Sequence, residues 1–370
     1  MCLLFLTFAT KGQEIEDEDF VIASLLVAAP GDTLYSCLGH ACFRMQCPEH
    51  NLDFCFSYEG EPASHQMLRF FKGKLKMGMA AVNSQEYIEA YRKEGRGLKQ
   101  YRLTLPLEVK RRLWKKLDDK VAQGMDLPYD YLKRGCAVTC TEILETAVGK
   151  DQIAYTQWPE QLKSSTRREL VVKNMKHAPW SLFCLQTIAG TTTDKGCPLL
   201  SRIIIPEHLV SVWQHAELEG RKIIASEPEQ LIPASSPTPA TWCKPWVLAL
   251  ALLILALLSW IVHLPFVDWI HWALQLGIGL FVTYLVCISD IPNCEWSWLI
   301  IPFNPLPILL WKWRKTWMPL YVSILIIWTI AMVCWPHILT DWAYIIFATS
   351  MAIISIKEHK NITNIKTKAS

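Results

Sequence analysis

Beyond residue 245 the chain becomes almost continuously apolar, and nothing else in it constrains the fold as much. Residues 246–262, 269–288, 317–335 and 342–356 contain no Asp, Glu, Lys or Arg. Each run is close to the ~20 residues that a helix needs to cross a bilayer, so all are read as transmembrane helices. Between the second and third lies 296–311, broken by Pro302, Pro305 and Pro307, which reads as a short fifth span or a re-entrant loop. Five crossings put Lys312, Arg314, Lys315 and the tail lysines Lys357, Lys360, Lys366 and Lys368 on one side, opposite the N-terminal part. The positive-inside tendency makes the lysine-bearing side cytoplasmic and the N-terminal part periplasmic. Tryptophans near the ends of the runs fit an interfacial belt.

Composition agrees. A chain of 370 residues that is 51% hydrophobic and 19% charged, with 17 Trp, is too apolar for one ordinary soluble domain. Residues 11–225 hold nearly all the acidic groups and read as a globular domain, joined to the helices by a Pro- and Ser-rich linker at 226–245. A net charge of +3 without a basic, aromatic-interleaved stripe argues against nucleic acid. Residues 1–10 resemble the apolar core of a secretory signal lacking its basic leader, a buried first strand being the other reading. Export would permit disulfides among the thirteen cysteines, with Cys37, Cys42, Cys47 and Cys55 clustered on neighbouring strands.

In the globular part, 20–29 is an apolar run that stops at Pro30-Gly31-Asp32, and 38–45 with 53–58 have the composition of paired strands around a turn at 48–51. Helical spacing marks 84–96, 106–123 and 137–148, the last ending at Gly149. Cys136 stands at the start of that last helix. A thiol there faces unpaired backbone N–H groups and the positive end of the helix dipole, which favour thiolate. Nucleophilic catalysis by Cys also needs a base. His40, between Gly39 and Ala41 on a strand taken as the first of the sheet, is the choice, with a structural core histidine as the alternative. His50, His65, His177, His208 and His215 read as surface residues. Cys140, one turn after Cys136, reads as core, and without a second ligand pair no metal and no cofactor is expected.

These residues carry a resemblance. Pro30-Gly31-Asp32, His40 with Arg44, Asp53 with Tyr58, Phe70-Phe71-Lys72-Gly73, Tyr91 to Arg96, Tyr129-Asp130-Tyr131 before Cys136, and Asn304-Pro305-Leu306 follow the order and spacing of the Lnb-type lipoprotein N-acyltransferases of Bacteroidota. Arg134-Gly135 stands where many relatives have Asp-Asn. The resemblance implies an α+β fold: a circularly permuted papain-like periplasmic domain, like the lecithin:retinol acyltransferase class, followed by an all-α domain of about five transmembrane helices in the inner membrane. It also implies that Cys136 takes a fatty acyl chain from a phospholipid donor as a thioester. The chain then passes to the N-terminal cysteine amine of a diacylglyceryl lipoprotein acceptor. His40 would be the acid and base, with Asp53 or Tyr58 orienting it; Arg44, Arg134, Tyr129 and Tyr131 would contact substrate. A periplasmic Cys/His hydrolase, peptidase or lipase, and a non-catalytic membrane scaffold are the other readings.

Overall fold

The computed structural model describes residues 20–60, 67–128, 130, 133–149, 151–234, 242–335 and 341–369. The proposed signal segment and Tyr129 and Tyr131 lie outside them.

The apolar run after Phe20 forms β1 (Ile22–Ala28), buried on both faces. Strands β2 (His40–Cys47) and β3 (Leu52–Gly60) are an antiparallel pair, with Cys42 opposite Ser57 and Gln46 opposite Asp53. The chain reverses between them through a 3-10 turn at Pro48–His50 and Asn51, whose φ is 55°. Strands β4 (Lys76–Asn83), β5 (Leu98–Arg102) and β6 (Leu127–Pro128) extend the sheet. A second small sheet holds β7 (Ile153–Tyr155), β8 (Ala216–Leu218) and β9 (Arg221–Lys222). The last strand, β10 (Glu229–Ile232), completes the main sheet in the order β10-β5-β1-β2-β3-β4-β6. Two expectations change here. His40 stands on a central strand and not the first, and part of the expected linker is an edge strand paired with β5.

Helices α1 (Met67–Phe71), α2 (Ser84–Lys93), α3 (Leu107–Ala122), α4 (Cys136–Val148), α5 (Glu160–Ser164), α6 (Arg167–Asn174), α7 (Pro179–Ile188) and α8 (Pro206–Trp213) accompany the sheets. Alternation along the strands divides the core. Leu25, Ala41, Phe43, Met45, Phe56 and Tyr58 pack with α3, α4 and α8, where Leu113, Leu117, Leu144 and Trp213 are fully buried. Leu26, Ala28, Cys42 and Cys55 pack with Tyr87 of α2 on the opposite face. His208 of α8 is buried and not on the surface, with Nδ1 unpartnered among the described residues. The twelve described cysteines are all free thiols.

The apolar third folds as α9 (Pro245–Val262), α10 (Pro265–Cys287), the single turn α11 (Leu306–Leu309), α12 (Arg314–Cys334) and α13 (Trp342–Ala369). Among the described residues three stretches are long and apolar enough to cross a membrane: Pro245–Val262, Pro265–Cys287 and Trp311–Cys334. Helix α13 is apolar at first but carries Lys357, Glu358 and Lys360 further on. No fifth helix occupies 296–311. The stretch is two 3-10 turns around α11, because its prolines lack the N–H that a helix interior requires. Neighbouring side chains satisfy its carbonyls instead. Trp328 Nε1 donates to Trp298 O (2.9 Å), Tyr321 Oη and Gln275 Nε2 donate to Pro302 O (3.1 Å each), and Trp317 Nε1 donates to Leu310 O (2.7 Å). Irregular backbone at membrane depth is tolerated on such terms. Trp328 and Trp317 lie about 16 Å apart along α12 at 1.5 Å per residue, so the broken stretch descends beside that helix.

Its upper end meets the sheet domain. Trp180 Nε1 donates to Cys243 O (2.7 Å) at the head of α9, Ser289 Oγ to Phe71 O (2.6 Å) just past α10, and Thr187 and Tyr344 share a hydroxyl hydrogen bond at the head of α13. At the opposite end Arg314 pairs with Glu358 (3.2 Å) and Lys357 with Asp268 (2.7 Å).

Candidate active site

The loop after β1 returns the chain to the sheet through Gly39, whose φ of +83° favours glycine; a Cβ there would sit 2.8 Å from Ala28 O. This fixes His40 as the first residue of β2, opposite Ala28. His40 is half-buried, and its Nε2 shares a 2.8 Å hydrogen bond with Ser57 Oγ on β3. Burial first, and the positive charge of Arg96 second, lower the imidazole pKa to about 4, so the ring is neutral at pH 7.

Cys136 opens α4 after Gly135, which is extended and offers no side-chain cap. Backbone N–H groups of Ala41, Ala137 and Cys136 itself bear on the thiol and lower its pKa, as does Arg96. Burial outweighs them all, and the net shift is upward. The expectation of a ready thiolate is therefore corrected: the helix-start effect is present, but desolvation of the charged form exceeds it. The resting pair is a neutral thiol and a neutral imidazole.

The Ala41 amide follows His40 in the chain, so thiol and imidazole occupy the same end of β2. Among the described residues no hydrogen bond joins them. Cys136 packs on the face that carries Ala41 and Phe43, whereas His40 is turned to Ser57 at the edge of the other face. Catalytic hydrogen bonds in unliganded sites are often long and tighten with substrate. Cys140 is core, its Sγ 3.9 Å from Ala41 O.

The other expected residues separate. Asp53 cannot orient His40: it lies opposite Gln46, six residues along β2, or about 20 Å at ~3.4 Å per residue. Its carboxylate takes Arg44 Nε (2.8 Å) and Nη2 (2.6 Å). Arg44 Nη1 donates to Gln100 Oε1 (2.8 Å), so this guanidinium is committed within the fold and not to substrate. Tyr58 stands on the opposite face of β3 from Ser57, buried in the core beside α4; burial raises its pKa, against the charge of Arg134. Arg134 is exposed just before Cys136, its Nη1 3.5 Å from Pro128 O. The residue that sequence reasoning missed is Ser57. The pairing sum that sets Cys42 against Ser57 puts Ser57 on the face of His40 and Tyr58 on the other, but that register is not fixed until the turn is known.

The segment before Cys136 is tied to the apolar helical part. Asp130 is buried, and its Oδ1 accepts from Lys133 N (2.9 Å) and from Asn293 Nδ2 (3.2 Å) in the loop after α10. Gly190 N donates to Asn293 O (2.6 Å), and a Cβ on Gly190 would lie 2.1 Å from Glu295 O, so only glycine permits this approach. Arg168 secures the same loop through Asp194, Gln186 and the carbonyls of Ala189 and Gly190.

The molecule is thus a mixed α/β domain bearing a helix-start thiol, seated on apolar helices long enough to cross a membrane. Residues 13–171, from before β1 into α6 and including both His40 and Cys136, match the family described as Lnb N-terminal periplasmic domain. Residues 13–171 are thus an Lnb-type N-terminal periplasmic domain. No curated protein and no solved structure matches the chain.

Proposed function

We propose that the chain is a multi-pass inner-membrane N-acyltransferase that uses Cys136 as nucleophile and His40 as acid and base. The observation that carries this reading is the Cys136 thiol held against the Ala41 N–H beside His40, in a segment hydrogen-bonded through Asp130 to the membrane-facing loop. That juxtaposition favours a substrate that arrives from the bilayer. His40 takes the thiol proton as Sγ adds to the acyl ester carbonyl of a phospholipid, and returns it to the departing alcohol. The neutral resting pair suits this order, since proton and charge move only during attack. Backbone N–H groups at the start of α4 face the tetrahedral oxygen. The thioester is then aminolysed by the N-terminal cysteine amine of a diacylglyceryl lipoprotein, with His40 accepting the amine proton. No metal or cofactor takes part in this scheme. Ser57 holds the ring, in the place earlier given to Asp53 or Tyr58. Exposed Arg134 remains a substrate contact in this reading, as do Tyr129 and Tyr131. The papain-like permuted order, His before Cys, is part of the same proposal.

The acyl donor's tail has a place to lie. An apolar cavity of about 490 Å³ is lined by Trp298, Ile301, Ile324, Ile327, Trp328, Ala331, Met332 and Trp335, toward the end of α12 nearer the sheet domain. This is within the range of ligand pockets, ~300–1,000 Å³. Trp311 does not belong to it, being packed edge-on against Trp272.

Intact mass after incubation with phospholipid vesicles tests the reading. An acyl adduct should appear on the wild-type protein, disappear in Cys136→Ser, and transfer to a diacylglyceryl peptide. Free fatty acid without acylated peptide would indicate a hydrolase, and no adduct would leave a scaffold. Topology follows from the same reading. With α9, α10, the broken stretch, α12 and α13 each passing once, Lys312, Lys315 and Lys360 share the far, cytoplasmic side. A reporter fused at residue 370 should be active only as a cytoplasmic fusion; a periplasmic signal would remove one crossing.

A further inference from the structure

Arg44, Arg168 and Arg96 all turn their guanidinium groups into the fold, and they differ in how far they are satisfied. Arg44 uses Nε, Nη1 and Nη2 on Asp53 and Gln100. Arg168 uses all three on Asp194, Gln186 and two carbonyls. Arg96 does not. Its Nε donates to Ala29 O (2.9 Å) and its Nη1 to Glu94 (3.0 Å), its guanidinium lies 4.8 Å above the Tyr91 ring, and Nη2 is buried with no acceptor among the described residues. The side chain is 10% exposed, whereas that of Glu94 is 50% exposed. A buried guanidinium N–H without a partner is costly, the more so on a charged group, so the donor requires a reason.

Position supplies one. Ala29 follows Ala28, the residue opposite His40, and Ala29 N donates to Gly97 O (2.8 Å), which pins the Arg96 segment to the end of the sheet where His40 begins. Gly31 keeps the path clear, since a Cβ there would come 3.2 Å from Arg96 Cδ. The charge is felt by both halves of the site: it favours the Cys136 thiolate and disfavours the His40 imidazolium.

We propose that Arg96 is a further catalytic residue, whose Nη2 binds the anionic oxygen formed when Cys136 adds to an acyl carbonyl. This rests on the acyl-transfer reading and deepens it. As the Sγ–C bond forms, the thiol proton passes to His40 and the carbonyl π pair moves onto oxygen. Nη2–H then donates to that alkoxide, together with the amides at the start of α4. Collapse restores the carbonyl and breaks the C–O bond to the alcohol, which takes the proton from His40. A fixed positive charge counters the oxyanion without itself transferring a proton, and the half-exposed Glu94 carboxylate offsets only part of its field in the site.

The test uses the full chain in detergent, with p-nitrophenyl butyrate as acyl donor and iodoacetamide as a probe of the Cys136 thiolate. Arg96→Gln should slow acylation by about 10²–10³-fold, the effect of losing one oxyanion donor, with KM within about threefold, and should slow alkylation at pH 7. Arg96→Lys should restore alkylation but only part of the acylation, because the charge returns without the fork geometry. Glu94→Gln, at an exposed position, should fold normally and speed alkylation; it keeps the idea falsifiable if the Arg96 variants misfold by near-ultraviolet circular dichroism. Equal acylation in folded wild type and Arg96→Gln would overturn the proposal, as would unchanged alkylation in Glu94→Gln when the Arg96 variants do not fold. If the wild type takes no acyl group from any ester while alkylation still follows the Arg96 charge, the acyl-transfer reading fails and Arg96 is left as a residue that tunes the thiol.

Discussion

The two ends of the β2–β3 pair are built from the same alternation and serve different purposes. At one end Arg44 and Asp53 form a two-pronged ion pair, closed further by Gln100, in which every guanidinium nitrogen has a partner. At the other, His40 is neutral and holds one hydroxyl, Cys136 is a neutral thiol against an amide, and Arg96 keeps one nitrogen uncommitted. Fully satisfied polar groups fix a register and then do nothing more. A polar cluster left partly unsatisfied is costly at rest, and the cost is recovered when charge develops there. On the acyl-transfer reading chemistry belongs to the Gly39 end and stability to the Asn51 end, and substitutions at each should separate accordingly.

His40→Ala should produce the largest effect. Loss of a general acid and base lowers rates by about 10²–10⁴-fold, and the deficit should not add to that of Cys136→Ser, since the two act as one unit. The pH profile sharpens the point. His40 titrates near 4 because burial and Arg96 disfavour its charged form, so acylation should keep its rate as pH falls through the ordinary histidine range near 6.5 and decline only toward 4. The same depressed value means that the unfolded chain binds more protons between about 6.5 and 4, so stability decreases as pH falls across that window. An acid limb at 6.5 in the acylation rate would show that another group is the base, or that His40 is solvated when substrate is bound. Either result would dissolve the contrast between the two ends.

Much of this was legible in the chain. An apolar run gave β1, strand-like composition gave β2 and β3, helical spacing with Gly149 gave α4, and charge-free runs gave three helices long and apolar enough to cross a membrane. What failed has physical reasons. The resemblance offers Asp53 as a partner for His40, whereas register puts it against Gln46. The thiol was read from its helix position alone, and desolvation, a property of the packed fold, reverses the net effect. His208 reads as a surface residue from its polarity, but its neighbours Leu209 and Val210 are buried with it where α8 meets the sheet. Strand β10 hid in a Pro- and Ser-rich stretch because an edge strand needs few apolar residues. The segment 296–311 has the hydropathy of a span, but its carbonyls are satisfied by Trp328, Tyr321, Gln275 and Trp317, from helices far away in sequence.

The smallest expected effect is at the Asn51 end. Asp53→Ala should lower stability by about 1 kcal/mol, the upper end of what an ion pair near the surface contributes, and leave acylation unchanged within twofold. Arg44→Ala should cost more, since its side chain is 13% exposed against 31% for Asp53 and its removal strands a carboxylate and Gln100 together. Burial alone would raise the Asp53 pKa, but hydrogen bonds from Arg44 and Ser84 and the Arg44 charge hold it below the usual carboxylate value. Its contribution is therefore present at neutral pH and lost only as pH falls below the carboxylate range, whereas the His40 contribution is already declining below 6.5. Urea titrations of wild type and Asp53→Ala at pH 7, 5 and 3.5 measure the difference. The gap should be constant from 7 to 5 and narrow at 3.5; a gap that closes by pH 5, or an acylation defect in Asp53→Ala, would mean that the two ends are energetically one site.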